Sequence, residues 1–374
     1  MNQQIMANLH SWAKGICKPP ETIQIYPTNK CNLACVFCYQ QQGKYNLEED
    51  VERIRWLEVA KELCKMNVKN ILISGGGEPL ASKVTIDLIE LFKKKNIHGR
   101  MIHNGTLWTT ALIKRAVKSG WDHIIFSIDG AKAETHDFLR RKKGSFSRIV
   151  HNLKEFDRIK REFHSQKPIL ESTTVLTSFN FHEIPNFVIF ADSMHIKNIT
   201  VEPVCTNNAE VEKIKLNKAQ RNEFLEKILP KAEKLANERN ISTNFYKLYD
   251  VKIIEKTGNL KKEILRKKKN NINNGSEKML PDDIKKFIES PCFEPWLWPK
   301  IEANGEVWPC STVPLKENIK ERSFREIWYG MVFNKFREQI LSKKLDDSCN
   351  NCVLTHLHTF DEIRTGLREA YLVK

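Results

Sequence analysis

Seven of the ten cysteines in this 374-residue chain fall into two groups, and that grouping constrains its fold more than any other feature. Cys31, Cys35 and Cys38 lie within one short segment, TNKCNLACVFCYQ. Cys292, Cys310, Cys349 and Cys352 lie in the last quarter, and Cys17, Cys64 and Cys205 stand alone. The N-terminal residues lack the unbroken apolar stretch of a signal peptide, and no apolar run approaches the ~20 residues of a membrane span. The expected compartment is therefore the cytoplasm, with no membrane partner. Structural disulfides are rare there, so clustered thiols point to metal or redox chemistry.

The first two hundred residues alternate between two periodicities. Strand-like runs occupy 22–28, 70–74, 100–104, 123–129, 170–176 and 198–204, and helix-like runs occupy 48–66, 83–95, 109–119, about 145–163 and 183–193. Alternation of this kind argues for βα units around a parallel sheet, whose ligand sites gather at the carboxyl ends of the strands. The unusual residues stand there: the cysteine loop after the first run, Gly75, Gly76 and Gly77 after the second, Asn104 after the third, Asp129 after the fourth and Cys205 after the sixth. Hydrophobic residues make up 41% of the chain, enough for a sizeable core and against wholesale disorder.

The C-x3-C-x2-C spacing, the SGGGEPL segment, HNGTL and FSIDG, in that order and each at a strand end, resemble the radical SAM (S-adenosyl-L-methionine) superfamily over about residues 20–205. The resemblance implies an α/β fold, a partial (βα)6 barrel. It further implies a [4Fe–4S] cluster on Cys31, Cys35 and Cys38, with one iron open to SAM. Gly75, Gly76, Gly77 and Glu78 would meet the methionyl amino group, because glycines let the backbone come close and carbonyl and carboxylate oxygens accept from an ammonium. Asn104, Ser127 and Asp129 would line the same site, and Arg140 would pair with the SAM carboxylate. Many relatives carry Arg-Gly where this chain has Arg140-Arg141, which leaves the choice of arginine open. The competing reading of the spacing is a zinc knuckle.

The tail resembles the auxiliary-cluster extension called SPASM, or its shorter form, the twitch domain. Cys292 and Cys310 flank Asn304-Gly305, a strong hairpin signal, and the Cys349-x2-Cys352 loop supplies two further thiolates for a second [4Fe–4S] cluster. The longer form places cysteines where His358 and Glu362 stand, so one auxiliary cluster is expected. A zinc ribbon is the alternative with the same ligand number.

These features divide the chain into an N-terminal extension (1–20), a radical SAM partial barrel (21–206), a helical and basic insertion or linker (207–290) and an auxiliary-cluster domain (291–374). Residues 247–286 hold 12 basic and 6 acidic residues, a net +6 of the chain's +15. That charge is concentrated in one segment without interleaved aromatics, so a nucleic-acid partner is not expected, although a zinc-containing nucleic-acid-binding protein is the non-enzyme alternative.

The expected function is oxidation of a small polar sugar or aminocyclitol, with the auxiliary cluster accepting an electron. The alternative is a maturase or epimerase of a ribosomally made peptide, with Cys205 as hydrogen donor. A flavodoxin or ferredoxin is the expected electron donor.

Overall fold

The computed structural model describes residues 3–38, 50–204, 209–249, 281–352 and 357–372. Within them the chain divides into two compact units, one of residues 26–57 and 72–256, the other of residues 1–25, 58–71 and 257–374.

The elements in chain order begin with α1 (Gln3–Ala13), β1 (Thr22–Ile25), α2 (Arg53–Lys65), β2 (Asn70–Ile73), α3 (Val84–Lys94), β3 (His98–His103), α4 (Thr110–Ser119) and β4 (His123–Ser127). They continue with α5 (Ala133–Arg140), α6 (Ser145–Glu162), β5 (Ile169–Leu176), α7 (Ile184–Ser193) and β6 (Asn198–Pro203). All six predicted strands form. The alternation also contains a helix the periodicity did not predict: α5 precedes α6, with a turn at Arg141–Gly144 between them, where Arg141 and Gly144 both take positive φ.

The larger unit carries the parallel sheet of an α/β fold. β3 pairs parallel with β4, β4 with β5 and β5 with β6. Its helices follow from ordinary end chemistry. The Thr109 hydroxyl accepts from the Leu112 N–H to start α4, and Gly120 ends it in the left-handed conformation. Gly99 in β3 is required because a Cβ there would stand 2.1 Å from the Trp121 ring. Trp108, Trp121, Phe92, Phe126, Phe156 and Phe187 are fully buried between the sheet and its helices.

The segment read as an insertion behaves differently over its first half. Its helical character is carried by α8 (Lys218–Glu223), a π-turn at Phe224–Ile228 and α9 (Leu229–Glu238), with a capping box between Asn217 and Gln220. A seventh strand, β7 (Ser242–Thr243), then pairs parallel with β6, and Phe224 and Phe245 are fully buried. Residues 209–249 are thus part of the barrel unit and not a linker. A two-residue strand is too short to leave a periodic signal. The basic run Arg266, Lys267, Lys268 and Lys269 lies outside the described residues.

In the smaller unit β8 (Lys300–Ile301) pairs parallel with β1 and antiparallel with β9 (Glu306–Trp308), across the predicted Asn304-Gly305 turn. β10 (Glu317–Asn318) extends the hairpin. Helices α10 (Phe324–Trp328), α11 (Met331–Leu341) and α12 (Leu357–Leu372) complete it. Arg337 is buried against the Trp12 and Trp328 rings, its guanidinium 4.6 and 4.2 Å from their centroids. It donates to the carbonyls of Pro295 and Trp328, which offsets part of the cost of burying its charge. Among the described residues no helix is long and apolar enough to cross a membrane.

Candidate functional site

The three-cysteine loop is held from both sides. On one side, the Thr28 hydroxyl donates to Asp50. The Thr28 and Lys30 carbonyls accept from the Gly77 and Glu78 N–H groups at 3.1 and 2.8 Å. This close approach explains the glycine, since a Cβ on Gly77 would stand 2.2 Å from the Lys30 carbonyl oxygen. On the other side, the Val36 N–H donates to the Leu139 carbonyl at 3.0 Å, tying the loop to α5.

Glu78 is buried and bridges elements. Its carboxylate accepts from the Leu80 N–H at 3.1 Å and from the Asn104 N–H at 2.7 Å. Burial pushes its pKa up to about 7, against those two hydrogen bonds. Asn104 turns back to the cysteine loop: its side-chain amide donates to the Asn32 side-chain Oδ1 at 2.9 Å and lies 4.0 Å from the Cys31 sulfur. The strand ends after β2 and β3 therefore meet the cysteine loop through named contacts.

Asp129 and Arg140 form a buried ion pair at 2.5 Å. Asp129 also accepts from the Val175 N–H at 2.8 Å, and its own N–H donates to His136 Nδ1 at 3.1 Å. The Arg140 Nη1 lies 3.6 Å from the Cys35 sulfur, and its guanidinium stands 5.4 Å from the Phe37 ring centroid. Burial alone would lower the Arg140 pKa, but Asp129 and Cys35 raise it, so the guanidinium stays charged beside the thiol. Of the two candidate arginines, Arg140 faces the cysteine loop; Arg141 is exposed and caps α5. Ser127, at the end of β4, is half-buried.

The residues fit the iron–sulfur cluster the resemblance implies. The donors are sulfurs, and burial raises the pKa of both Cys31 and Cys35. A buried thiolate needs a compensating cation. The Leu33 N–H donates to Cys31, and Arg140 donates to Cys35, the kind of hydrogen bonding that stabilises cluster thiolates.

The second group lies in the smaller unit. Cys292, Cys310 and Cys349 are buried and Cys352 is half-buried. Burial pushes Cys310 up to about 12 and Cys352 up to about 11, and Cys292 is also raised well above its ordinary value. Backbone N–H groups again reach the sulfurs, from Glu294 to Cys292 and from Thr312 and Val313 to Cys310. Cys310 and Cys352 both contribute to raising Cys292, behind burial and Glu294.

Sequence reading missed Glu294, whose buried carboxyl is raised to about 8 and whose charge acts on Cys292, Cys310 and Cys352. An acid two residues from a candidate ligand, Cys292, was the available signal. It also missed His136 and Asn180. The Asn180 side-chain amide donates to the Asp129 and Val175 carbonyls at 2.9 and 2.8 Å, fixing the end of β5 against that of β4. Cys205, the proposed hydrogen donor, lies outside the described residues.

Comparison with known proteins gives a radical SAM superfamily match over residues 25–184 and a SPASM match, an iron-sulfur cluster-binding domain, over residues 292–353. The PqqA peptide cyclase of Rhizobium meliloti is 23% identical over 341 residues, covering 88% of this chain and 80% of that protein. The AdoMet-dependent heme synthase of Methanosarcina barkeri is 24% identical over 337 residues, covering 89% of this chain and 88% of that protein. Streptococcus suis SuiB, solved bound to its precursor peptide SuiA, shares the fold with a TM-score of 0.60 and 17% identity, over 90% of this chain and 71% of that one.

Proposed function

This chain belongs to the radical SAM superfamily and carries a SPASM-type domain, and from that premise we propose that it modifies a ribosomally made peptide. The similarity to PqqA peptide cyclase over 88% of this chain is the observation that carries the choice of substrate. It favours a peptide over the sugar or aminocyclitol that the four-cysteine spacing suggested.

In this reading Cys31, Cys35 and Cys38 hold the SAM-binding cluster, and Cys292, Cys310, Cys349 and Cys352 hold the auxiliary one. When bound, the first cluster and SAM supply a 5′-deoxyadenosyl radical that takes a hydrogen atom from the substrate. The chain's own residues position and enclose. The carbonyls of Gly75, Gly76 and Gly77 receive the methionyl ammonium, and Glu78 holds that turn against Asn104. Asn104 and Ser127 line the strand ends. Asp129 orients Arg140, whose Nη groups are left to face anionic partners: the Cys35 thiolate and the SAM carboxylate.

The substrate radical has two fates. An auxiliary cluster held by Cys292, Cys310, Cys349 and Cys352 would supply a one-electron acceptor, so that loss of a proton and that electron would leave a crosslinked or otherwise oxidised peptide. Return of a hydrogen atom, for which Cys205 is the proposed donor, gives an epimer. The test is anaerobic incubation of the reconstituted enzyme with SAM, dithionite and a short precursor peptide encoded beside its gene, read by mass spectrometry. The expected product is 5′-deoxyadenosine together with a peptide lacking two hydrogens, and a Cys205→Ala variant should still make it. An unchanged peptide alongside turnover of a tetrapyrrole or a sugar would sink the reading.

A further inference from the structure

We propose that the basic turn at Arg141–Gly144, with the exposed Phe138–Phe179 ring pair beside it, is the docking surface for an acidic one-electron carrier protein of the flavodoxin or ferredoxin class. This rests on the proposed function, since a carrier has a target here only if Cys31, Cys35 and Cys38 hold a redox cluster.

The charge is exposed and uncompensated. Arg141, Lys142 and Lys143 are all exposed, and among the described residues none has an acidic partner. The exposed acid on the same helix is Glu134, and Lys132 is spoken for by Glu183 at 3.6 Å. The turn is also built rather than loose. The Asp137 carboxylate accepts from the Gly144 N–H at 2.6 Å, the Ser145 hydroxyl at 2.7 Å and the Phe146 N–H at 2.8 Å. The Lys142 N–H donates to the Asp137 carbonyl at 3.0 Å. Three cations are thus displayed on a fixed frame, which lowers the ordering cost of binding.

Apolar surface adjoins the charge. Phe138 is 52% and Phe179 43% exposed, with ring centroids 4.9 Å apart. Phe138 leads directly into the turn, its carbonyl accepting from the Arg141 N–H at 3.1 Å, and exposed aromatic rings next to charge are a composition found at interfaces. An acidic carrier would be steered by the cations and would desolvate the rings on contact.

Position selects this partner over others. Arg140, one residue before the turn, reaches Cys35, and Leu139 is bonded to the cysteine loop. At about 3.6 Å per residue at most, the Cα of Lys143 lies no more than about 11 Å from that of Arg140. A protein seated on the turn is therefore set against the loop that would hold the cluster, and electron transfer falls steeply with distance. In the step itself the carrier loses one electron and the cluster gains it, with no bond made or broken.

The experiment compares the loaded full-length enzyme with a Lys142→Glu/Lys143→Glu variant under anaerobic stopped flow. Bleaching of the cluster's visible absorbance is followed with flavodoxin hydroquinone and, separately, with dithionite. The variant should lose about tenfold or more in the flavodoxin-driven rate at low ionic strength, and its rate should lose most of the wild-type salt dependence. Dithionite-driven reduction should be unchanged.

Equal flavodoxin rates in the two proteins would overturn the proposal. So would a parallel loss with dithionite, which marks a turn that supports the cluster. Weaker binding of precursor peptide with undiminished flavodoxin reduction would also overturn it, by making the turn a substrate contact. Failure of the proposed function is read separately, as wild-type enzyme that yields no 5′-deoxyadenosine with dithionite and SAM.

Discussion

A histidine buried without its proton is no burden at neutral pH and an increasing one in acid. His136 is fully enclosed, and its Nδ1 accepts the Asp129 N–H, so the ring is neutral in the folded chain. Burial, reinforced by the Arg140 charge, holds its pKa down at about 3. The sign follows from proton uptake. Above the ordinary value of about 6.5 neither folded nor unfolded chain binds the proton; below it only the unfolded chain does, until the folded pKa is reached. Stability therefore falls with pH below about 6.5, by up to ~1.4 kcal/mol per unit from this group. Urea titrations of wild type and His136→Gln check it. Between pH 6.5 and 5 the wild type should lose about 2 kcal/mol more than the variant, and parallel losses would mean that His136 is not held neutral. Nothing in the sequence marked His136, because its burial and its bond to Asp129 depend on how the start of α5 packs against the end of β4. Likewise Arg140 was legible as a candidate, and only the fold set it beside both Asp129 and Cys35.

At the scale of elements, the end of α5 shows what the Arg140-Arg141 pair costs where many relatives have Arg-Gly. Arg141 is the residue after the last helical turn and has φ of 50°. That is the left-handed conformation helices use to close their final carbonyls, which favours glycine because a Cβ there costs roughly 1–2 kcal/mol. Here the Arg141 N–H donates to the Asp137 and Phe138 carbonyls, so the cap is made in spite of the side chain. An Arg141→Gly variant should raise the unfolding free energy by about 1 kcal/mol, the relief of strain less the extra entropy of glycine in the unfolded chain. Chemical denaturation measures it. A loss of stability would show that the arginine side chain contributes more than its backbone conformation costs. The strand ends were readable for a related reason: Gly75, Asn104 and Asp129 are turn formers that also stop β periodicity, so boundary and chemistry coincide in the same residues. β7 was not readable, because two residues carry no period.

Across the whole molecule, the two sets of thiols belong to different compact units, Cys31, Cys35 and Cys38 to one and Cys292, Cys310, Cys349 and Cys352 to the other. Loading of one cluster should therefore survive loss of the other. A Cys349→Ser/Cys352→Ser variant is expected to fall from about eight irons per chain to about four, and to keep forming 5′-deoxyadenosine with dithionite while losing the oxidised peptide. Iron analysis and product assay together check it, and loss of all iron would show that the units load as one. What the sequence determined by itself was local: ligand spacing inside one short loop, the alternation of strand and helix, the Asn304-Gly305 hairpin and the order of motifs along the chain. These are set by neighbours in sequence, through backbone geometry and the side-chain period of each element. What the tertiary structure decided was partnership at a distance: Glu78 with Asn104, Asp129 with Arg140 and Cys35, Phe138 with Phe179, and Glu294 among the auxiliary thiols. Periodicity tells which face of an element is buried. It does not tell what stands opposite, and burial against a particular partner is what fixes charge, pKa and therefore chemistry.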